Sequence, residues 1–227
     1  MPEYVQDGAV DCGITGLDLV EERGVDVDQL LRLGFGSCTL EAAVPEEAPV
    51  ETLEELDGLR AATVYPRLAG RLLAERGIDI ELVEVTGSVE VAPRLGLADA
   101  IVDLVSSGNT LQTNGLRSLG AIFASEAVLI GRREDDDRGR RLAGILGSVV
   151  NARASRYLML NAPADAVARI TDVVPGSRSP TVVPLAEPGM VAIHAVVPAD
   201  DVWLLPPRLE EAGASSILLV PVERMLA

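Results

Sequence analysis

The residues best suited to chemistry lie in one segment, Ala100-Ile101-Val102-Asp103-Leu104-Val105-Ser106-Ser107-Gly108-Asn109-Thr110-Leu111. An apolar run delivers the carboxylate of Asp103, and a small, hydroxyl-rich loop opens at Ser106. That order suits a phosphorylated sugar. Small side chains let loop N–H groups approach and converge on a phosphate. A strand-end carboxylate just before the loop is placed to accept hydrogen bonds from sugar hydroxyls. The same pattern also describes a polar turn after a buried strand, and the local sequence leaves both readings open.

Positioning such a segment requires regular elements, and the chain alternates between them. Strands are expected over 10–14, 38–44, 59–64, 80–85 and 99–105. Helices are expected over 17–23, 51–56, 67–76 and 89–95, with Tyr65-Pro66 opening one of them and Gly77 closing it. Strands alternating with helices imply parallel α/β sheets that bind ligands at the carboxyl ends of their strands. The segment 106–111 and a second small-residue turn, Gly13-Ile14-Thr15-Gly16, both fall at such ends. That placement favours a binding loop over a turn.

A charge run, Arg132-Arg133-Glu134-Asp135-Asp136-Asp137-Arg138-Gly139-Arg140-Arg141, reads as a solvated loop entering a helix over 140–153. Beyond it the pattern changes to strand 157–161, helix 164–174, strands 181–185 and 191–197, helix 200–212 and strand 216–222. The order βαββαβ is the ferredoxin-like unit. It carries no acid–base pair or nucleophile constellation and reads as a ligand-sensing or assembly module.

Composition narrows the function classes. The chain has 227 residues, 35 acids and 19 basic residues, all of them arginine. Residues 1–150 hold 27 acids against 13 arginines, whereas 151–227 hold 8 against 6. An acid excess of this kind resists association in high salt, so a salt-adapted, halophilic source is expected. Without a basic stripe no nucleic-acid partner is expected. No apolar stretch approaches the ~20 residues of a membrane span, and the start lacks a signal-peptide pattern. No membrane partner and a cytoplasmic location are therefore expected. Cys12 and Cys38 read as buried free thiols, and no His/Cys cluster has zinc spacing.

Several motifs then occur in a fixed order. They are 11–18 (DCGITGLD), 33–38 (LGFGSC), 62–66 (ATVYP), 87–93 (GSVEVAP), 96–99 (GLAD), the loop 103–111, and Asn114-Gly115-Leu116. Together they resemble the ATP phosphoribosyltransferase family. The segments 157–163 (YLMLNAP) and 175–181 (PGSRSPT) resemble the regulatory domain of its long form. The resemblance implies a two-lobed, periplasmic-binding-protein-like α/β catalytic region followed by a C-terminal ferredoxin-like βαββαβ domain. The first lobe would comprise 1–48 and 116–150, the second 49–115, and the regulatory domain 153–227. Family members carry a further strand and a basic loop ahead of the segment that begins here at Pro2, so an incomplete first lobe is expected.

The implied reaction joins ATP to phosphoribosyl diphosphate with Mg²⁺, releasing pyrophosphate, as the first step of histidine biosynthesis. By motif match Ser106, Ser107, Gly108, Asn109, Thr110 and Leu111 would cradle the 5′-phosphate. Asp103 and Glu90 would be the catalytic carboxylates, Asp103 facing the ribose. Glu90 and Asp99 would be its neighbours, acting through hydroxyls or Mg²⁺, with Asp99 as a substrate-binding residue. Thr15 and Gly16 would line the opposite lobe and contact a substrate, a tight strand–helix turn being the alternative. Histidine would bind the C-terminal domain as an inhibitor, with Ser179 and Thr181 as candidate contacts, and the subunits would assemble as homodimers and hexamers.

Two other classes remain open on the residues. A solute-binding protein would use the same lobes but predicts a secretory signal and no phosphate loop. A non-catalytic histidine-sensing subunit would keep the C-terminal domain. His194 is expected to be a satisfied sheet residue, Trp203 a packing anchor, and Met159, Met190 and Met225 core fillers.

Overall fold

The computed structural model describes residues 1–106, 108–132, 137–174 and 179–226. They form two compact units, Met1–Ala143 and Gly144–Ala227. Ser107, 133–136 of the charge run and 175–178 of the regulatory-domain motif lie outside the described residues. Among those described, no helix is long and apolar enough to cross a membrane.

The first unit runs α1 (Pro2–Gln6), β1 (Cys12–Gly16), α2 (Leu17–Arg23), β2 (Val27–Arg32), β3 (Cys38–Pro45), β4 (Arg60–Thr63), α3 (Pro66–Ala74), β5 (Glu81–Glu84), β6 (Ala100–Val105), α4 (Asn109–Thr113), β7 (Leu116–Ser125) and β8 (Ala127–Arg132). α5 (Asp137–Arg153) follows. The regions 51–56 and 89–95, expected as helices, are shorter 3-10 turns at Glu54–Leu56 and Val89–Val91. The strands form a three-stranded sheet, β1-β8-β2, and a five-stranded sheet, β5-β4-β6-β3-β7.

The expectation of parallel sheets holds only for part of the second sheet. β5, β4 and β6 are parallel, whereas β3 pairs antiparallel with both β6 and β7. The smaller sheet is antiparallel throughout. The reason is connectivity: chain returning from one sheet to the other must run against the βαβ strands. β3 and β7, expected in the first lobe, therefore hydrogen-bond in the second-lobe sheet and extend it. Two crossovers link the sheets, residues 33–37 and the single residue Glu126. They are stitched together by Leu33 N–H to the Ala127 carbonyl (3.0 Å) and Ala127 N–H to the Phe35 carbonyl (2.9 Å).

β6 is buried on both faces, as its apolar run requires. Ala100 and Val102 pack with Leu68 and Leu73 of α3 on one face. Ile101 packs with Val89, Leu111 and Leu116 on the other. Pro66 starts α3, and the buried Glu22 of α2 caps it by accepting the N–H groups of Arg67 (3.2 Å) and Leu68 (2.8 Å). A carboxylate there satisfies donors that a helix start leaves unpaired and complements its dipole.

The second unit adds β9 (Ser155–Pro163), α6 (Val167–Val173), β10 (Thr181–Pro184), β11 (Met190–Pro198), α7 (Leu205–Glu211) and β12 (Ser215–Pro221). Its antiparallel sheet has the order β10-β11-β9-β12, which is the ferredoxin-like arrangement. Ile170, Leu205 and Leu209 from the helices bury Leu158, Leu160 and Ile193 of the sheet. His194 is a satisfied sheet residue, as expected: Tyr157 Oη lies 3.1 Å from its Nδ1 and the rings meet edge to face. Trp203 does not anchor packing. It is 88% exposed, because the turn before α7 sends Leu205 into the core instead.

Candidate active site

β6 delivers Asp103 to the same face as Ile101 and Val105, away from α3. Four elements meet there: the end of β6, the loop into α4, the 3-10 turn at Val89–Val91, and β3. Gly108 caps α4 with φ +72°, a left-handed conformation that disfavours residues carrying a Cβ. Leu111 turns inward to the core while Ser106, Asn109 and Thr110 stay exposed. A helix start leaves its first N–H groups without intrahelical partners, here those of Asn109, Thr110 and Leu111. The loop therefore presents donors outward from an anchored base.

Three cavities meet at Ser106. The first, about 60 Å³, is lined by Glu90, Asp103, Ser106, Gly108 and Thr110. A second, about 470 Å³, brings in Glu41, Arg117 and Ser118. The third, about 340 Å³, brings in Arg32, Cys38, Ser125 and Glu126. Glu90 and Asp103 are thus gathered with Ser106, Gly108, Thr110 and Leu111 of the loop around one cavity, whereas Asn109 is exposed and lines none of the three.

The electrostatics are acidic. Asp103 Oδ1 accepts the Leu104 N–H at 2.8 Å. Burial nevertheless pushes its carboxyl above the ordinary aspartate value, that hydrogen bond opposes the shift, and the negative charge of Glu90 adds to it. Glu41 of β3 stands directly opposite Asp103, so the two carboxylates share a face of the sheet. It accepts hydrogen bonds from Thr39 Oγ1 (2.7 Å) and Ser118 Oγ. Glu41 was missed in the sequence, although a lone acid inside the apolar run 40–44 is the kind of local inconsistency that marks a site.

A buried polar cluster backs the third cavity. Ser125 Oγ donates to Asp18 Oδ1 and accepts the Asp18 N–H at 3.0 Å. Burial, together with the Asp18 charge and a hydrogen bond to it, holds the Tyr65 phenol well above its usual value. Burial and Asp18 likewise raise the Cys38 thiol, against a hydrogen bond with Ser125, which disfavours the nucleophilic thiolate. Both cysteines are free and half-buried, close to expectation.

Not every expected residue arrives. Asp99 precedes β6, so it lies at the strand's opposite end from the loop, roughly 13 Å from Asp103 along an extended chain. Its carboxylate is held by Arg60, through Nη2 at 3.1 Å and Nε at 3.2 Å, which lowers its pKa. Asp99 fastens β4 to β6. Thr15 and Gly16 line none of the three cavities. Gly16 is close-packed: a Cβ there would meet Asp18 Oδ1 at 2.3 Å, which fits the tight-turn alternative. Ser179 and Thr181 are exposed in the second unit, Thr181 opposite His194.

Comparison with known proteins decides the lineage. Residues 1–149 match the ATP phosphoribosyltransferase family and 152–224 match its HisG C-terminal domain. The chain belongs to the ATP phosphoribosyltransferase family. Over its whole length it is 44% identical to the ATP phosphoribosyltransferase of Methanococcoides burtonii and 42% identical to that of Halobacterium salinarum, spanning 81% of each. Among solved structures, a chain of the ATP phosphoribosyl transferase (HisG:HisZ) complex from Thermotoga maritima matches with TM-score 0.58 and 26% identity, over 66% of this chain and 75% of that one. The substrate-binding protein of an amino acid ABC transporter matches with TM-score 0.50 and 16% identity, over 66% and 67% of the two chains, a likeness of fold alone. The α/β, periplasmic-binding-protein-like architecture with a C-terminal family domain stands as expected.

Proposed function

We propose that this chain transfers the phosphoribosyl group of phosphoribosyl diphosphate to an adenine ring nitrogen of ATP, releasing pyrophosphate, as the first step of histidine biosynthesis. The observation that carries the reading is the loop at the end of β6, where a left-handed Gly108 opens outward donors beside Asp103 and Glu90, in a chain of this family throughout its length.

In this reading the N–H groups of Asn109, Thr110 and Leu111, with the Ser106 and Thr110 hydroxyls, hold the 5′-phosphate. Asp103 faces the ribose. As the bond from C1′ to the diphosphate oxygen breaks and the bond to nitrogen forms, positive charge develops on the sugar. A poorly solvated carboxylate stabilises that charge more than a hydrated one does. Glu90 adds a second negative charge on the same side. Among the described residues no three acidic, His or Cys side chains gather as a metal cage. Two neighbouring carboxylates, Glu90 and Asp103, do fit a Mg²⁺ that arrives with the diphosphate, since this ion is usually held by one or two carboxylates plus substrate phosphates. Bound there, it would neutralise the leaving group. The C-terminal unit would bind histidine as an inhibitor, near Ser179 and Thr181, in a homo-oligomer.

Pyrophosphate release measured with both substrates and Mg²⁺, and with each omitted, tests the reading. Release that needs both substrates supports it. No release, with thermal stabilisation by histidine but not by phosphoribosyl diphosphate, would mark a sensing subunit instead.

A further inference from the structure

The transfer brings two polyanions into a chain of formal charge −16 that has no lysine. Basic side chains can meet them beside Mg²⁺, and among the described residues only two line the three cavities at Ser106. Arg117 is committed to structure: its Nη2 donates to the carbonyls of Ala48 (3.0 Å) and Val50 (2.5 Å) and pairs with Glu51. Arg32 differs. It ends β2 and borders the 340 Å³ cavity with Ser106, Thr39 and Ser125. Its Nη1 contacts Glu126 Oε1 at 3.0 Å, with the arginine side chain 62% exposed and the glutamate 18%.

Glu126 is fixed independently. Its Oε2 accepts the Gly34 N–H at 3.1 Å, and Gly34 offers that N–H from a left-handed φ of +67°. When Arg32 leaves, Glu126 keeps a partner, so the pair opens without leaving this half-buried carboxylate unsatisfied. Exposed ion pairs are weak, whereas a guanidinium binds phosphate oxygens bidentately and with charge assistance.

We propose that this cavity is a second anion subsite beside the phosphate loop, in which Arg32 binds a phosphate or diphosphate group and Glu126 holds Arg32 until that group arrives. The pair is then a built-in competitor that the substrate displaces. The proposal rests on the phosphoribosyl reading for the neighbouring loop and for the polyanions that meet the cavity.

Calorimetric titration of inorganic pyrophosphate into the full chain, with Arg32→Gln and Glu126→Gln in parallel, is the test. Glu126→Gln keeps an acceptor for Gly34 and should bind pyrophosphate about two- to fivefold tighter, the release of a weak exposed pair. Arg32→Gln should bind about tenfold more weakly, the loss of a charged hydrogen bond. Unchanged affinity in both variants overturns the proposal, and so does a wild-type chain that does not bind pyrophosphate. A merely structural clasp would lower both melting temperatures together and leave affinity unmoved, which also overturns it. Failure of the phosphoribosyl reading is separable: phosphoribosyl diphosphate would then not bind the wild-type chain, while the Arg32 dependence of pyrophosphate binding would persist.

Discussion

Asp103→Asn should separate stability from activity. In the folded chain burial raises the Asp103 carboxyl above its unfolded value. A group raised in this way stabilises the fold at low pH, where it is protonated in both states. That contribution is lost as pH rises through the folded pKa, so near neutrality the ionised carboxylate is a burden on the fold. Asparagine removes the charge and keeps an oxygen to accept the Leu104 N–H, now at 2.8 Å. The variant should therefore melt no lower than wild type at pH 8, with any advantage shrinking as the pH falls toward the carboxylate range. Activity should move the other way. A unit charge about 4 Å from Asp103 at an effective dielectric near 20 is worth about 4 kcal/mol, and a half-developed charge about 2 kcal/mol. The corresponding loss in kcat lies between about 30-fold and about 1,000-fold. Melting curves at pH 5 and pH 8 with initial rates of pyrophosphate release supply both numbers. A kcat within about threefold of wild type, a change under 1 kcal/mol, would refute the reasoning, as would a clear drop in melting temperature at pH 8.

Three further outcomes follow from the geometry. Gly108→Val forces a Cβ into a left-handed residue where no atom lies within 4 Å, so the cost is backbone strain of about 1–2 kcal/mol. Phosphoribosyl diphosphate should then bind at least about tenfold more weakly by calorimetry while the melting temperature falls by only about 2–8 °C. Asp99→Ala, at the far end of β6, should leave kcat and KM for both substrates within about twofold in steady-state assays, an ordinary surface substitution. Raising KCl from about 0.1 M to about 2 M should screen the chain's self-repulsion and lift the melting temperature by about 4 °C or more, measured by calorimetry; no shift or a fall would remove the halophilic reading.

The sequence made the β6 loop visible because burial on two faces demands an apolar run, and a reversal of the backbone demands residues such as Gly108. α3 was equally plain, since Pro66 and Gly77 bracket it. The ferredoxin-like unit emerged from the order of its strands alone. Two strands had no such signal. β2 carries Asp28 and Gln29, while β7 bends at register shifts opposite Leu40–Glu41 and Ala42–Ala43, which scramble its alternation. Glu41 belongs to the site through its pairing with Asp103, a relation between strands that no local pattern holds. Asp99 misled for a similar reason. Four residues is a short step in sequence and most of the length of a strand. Arg32 and Glu126 meet because two crossovers run side by side, which only the assembled sheets reveal.

The central claim is that one chain joins the two substrates at the β6 loop. Mass analysis of the nucleotide formed from ATP, phosphoribosyl diphosphate and Mg²⁺ by the full chain tests it most directly. The account predicts an ATP adduct carrying one phosphoribosyl group, formed in step with pyrophosphate and reduced in Asp103→Asn. An unchanged ATP peak, or an adduct formed equally well by that variant, would contradict it.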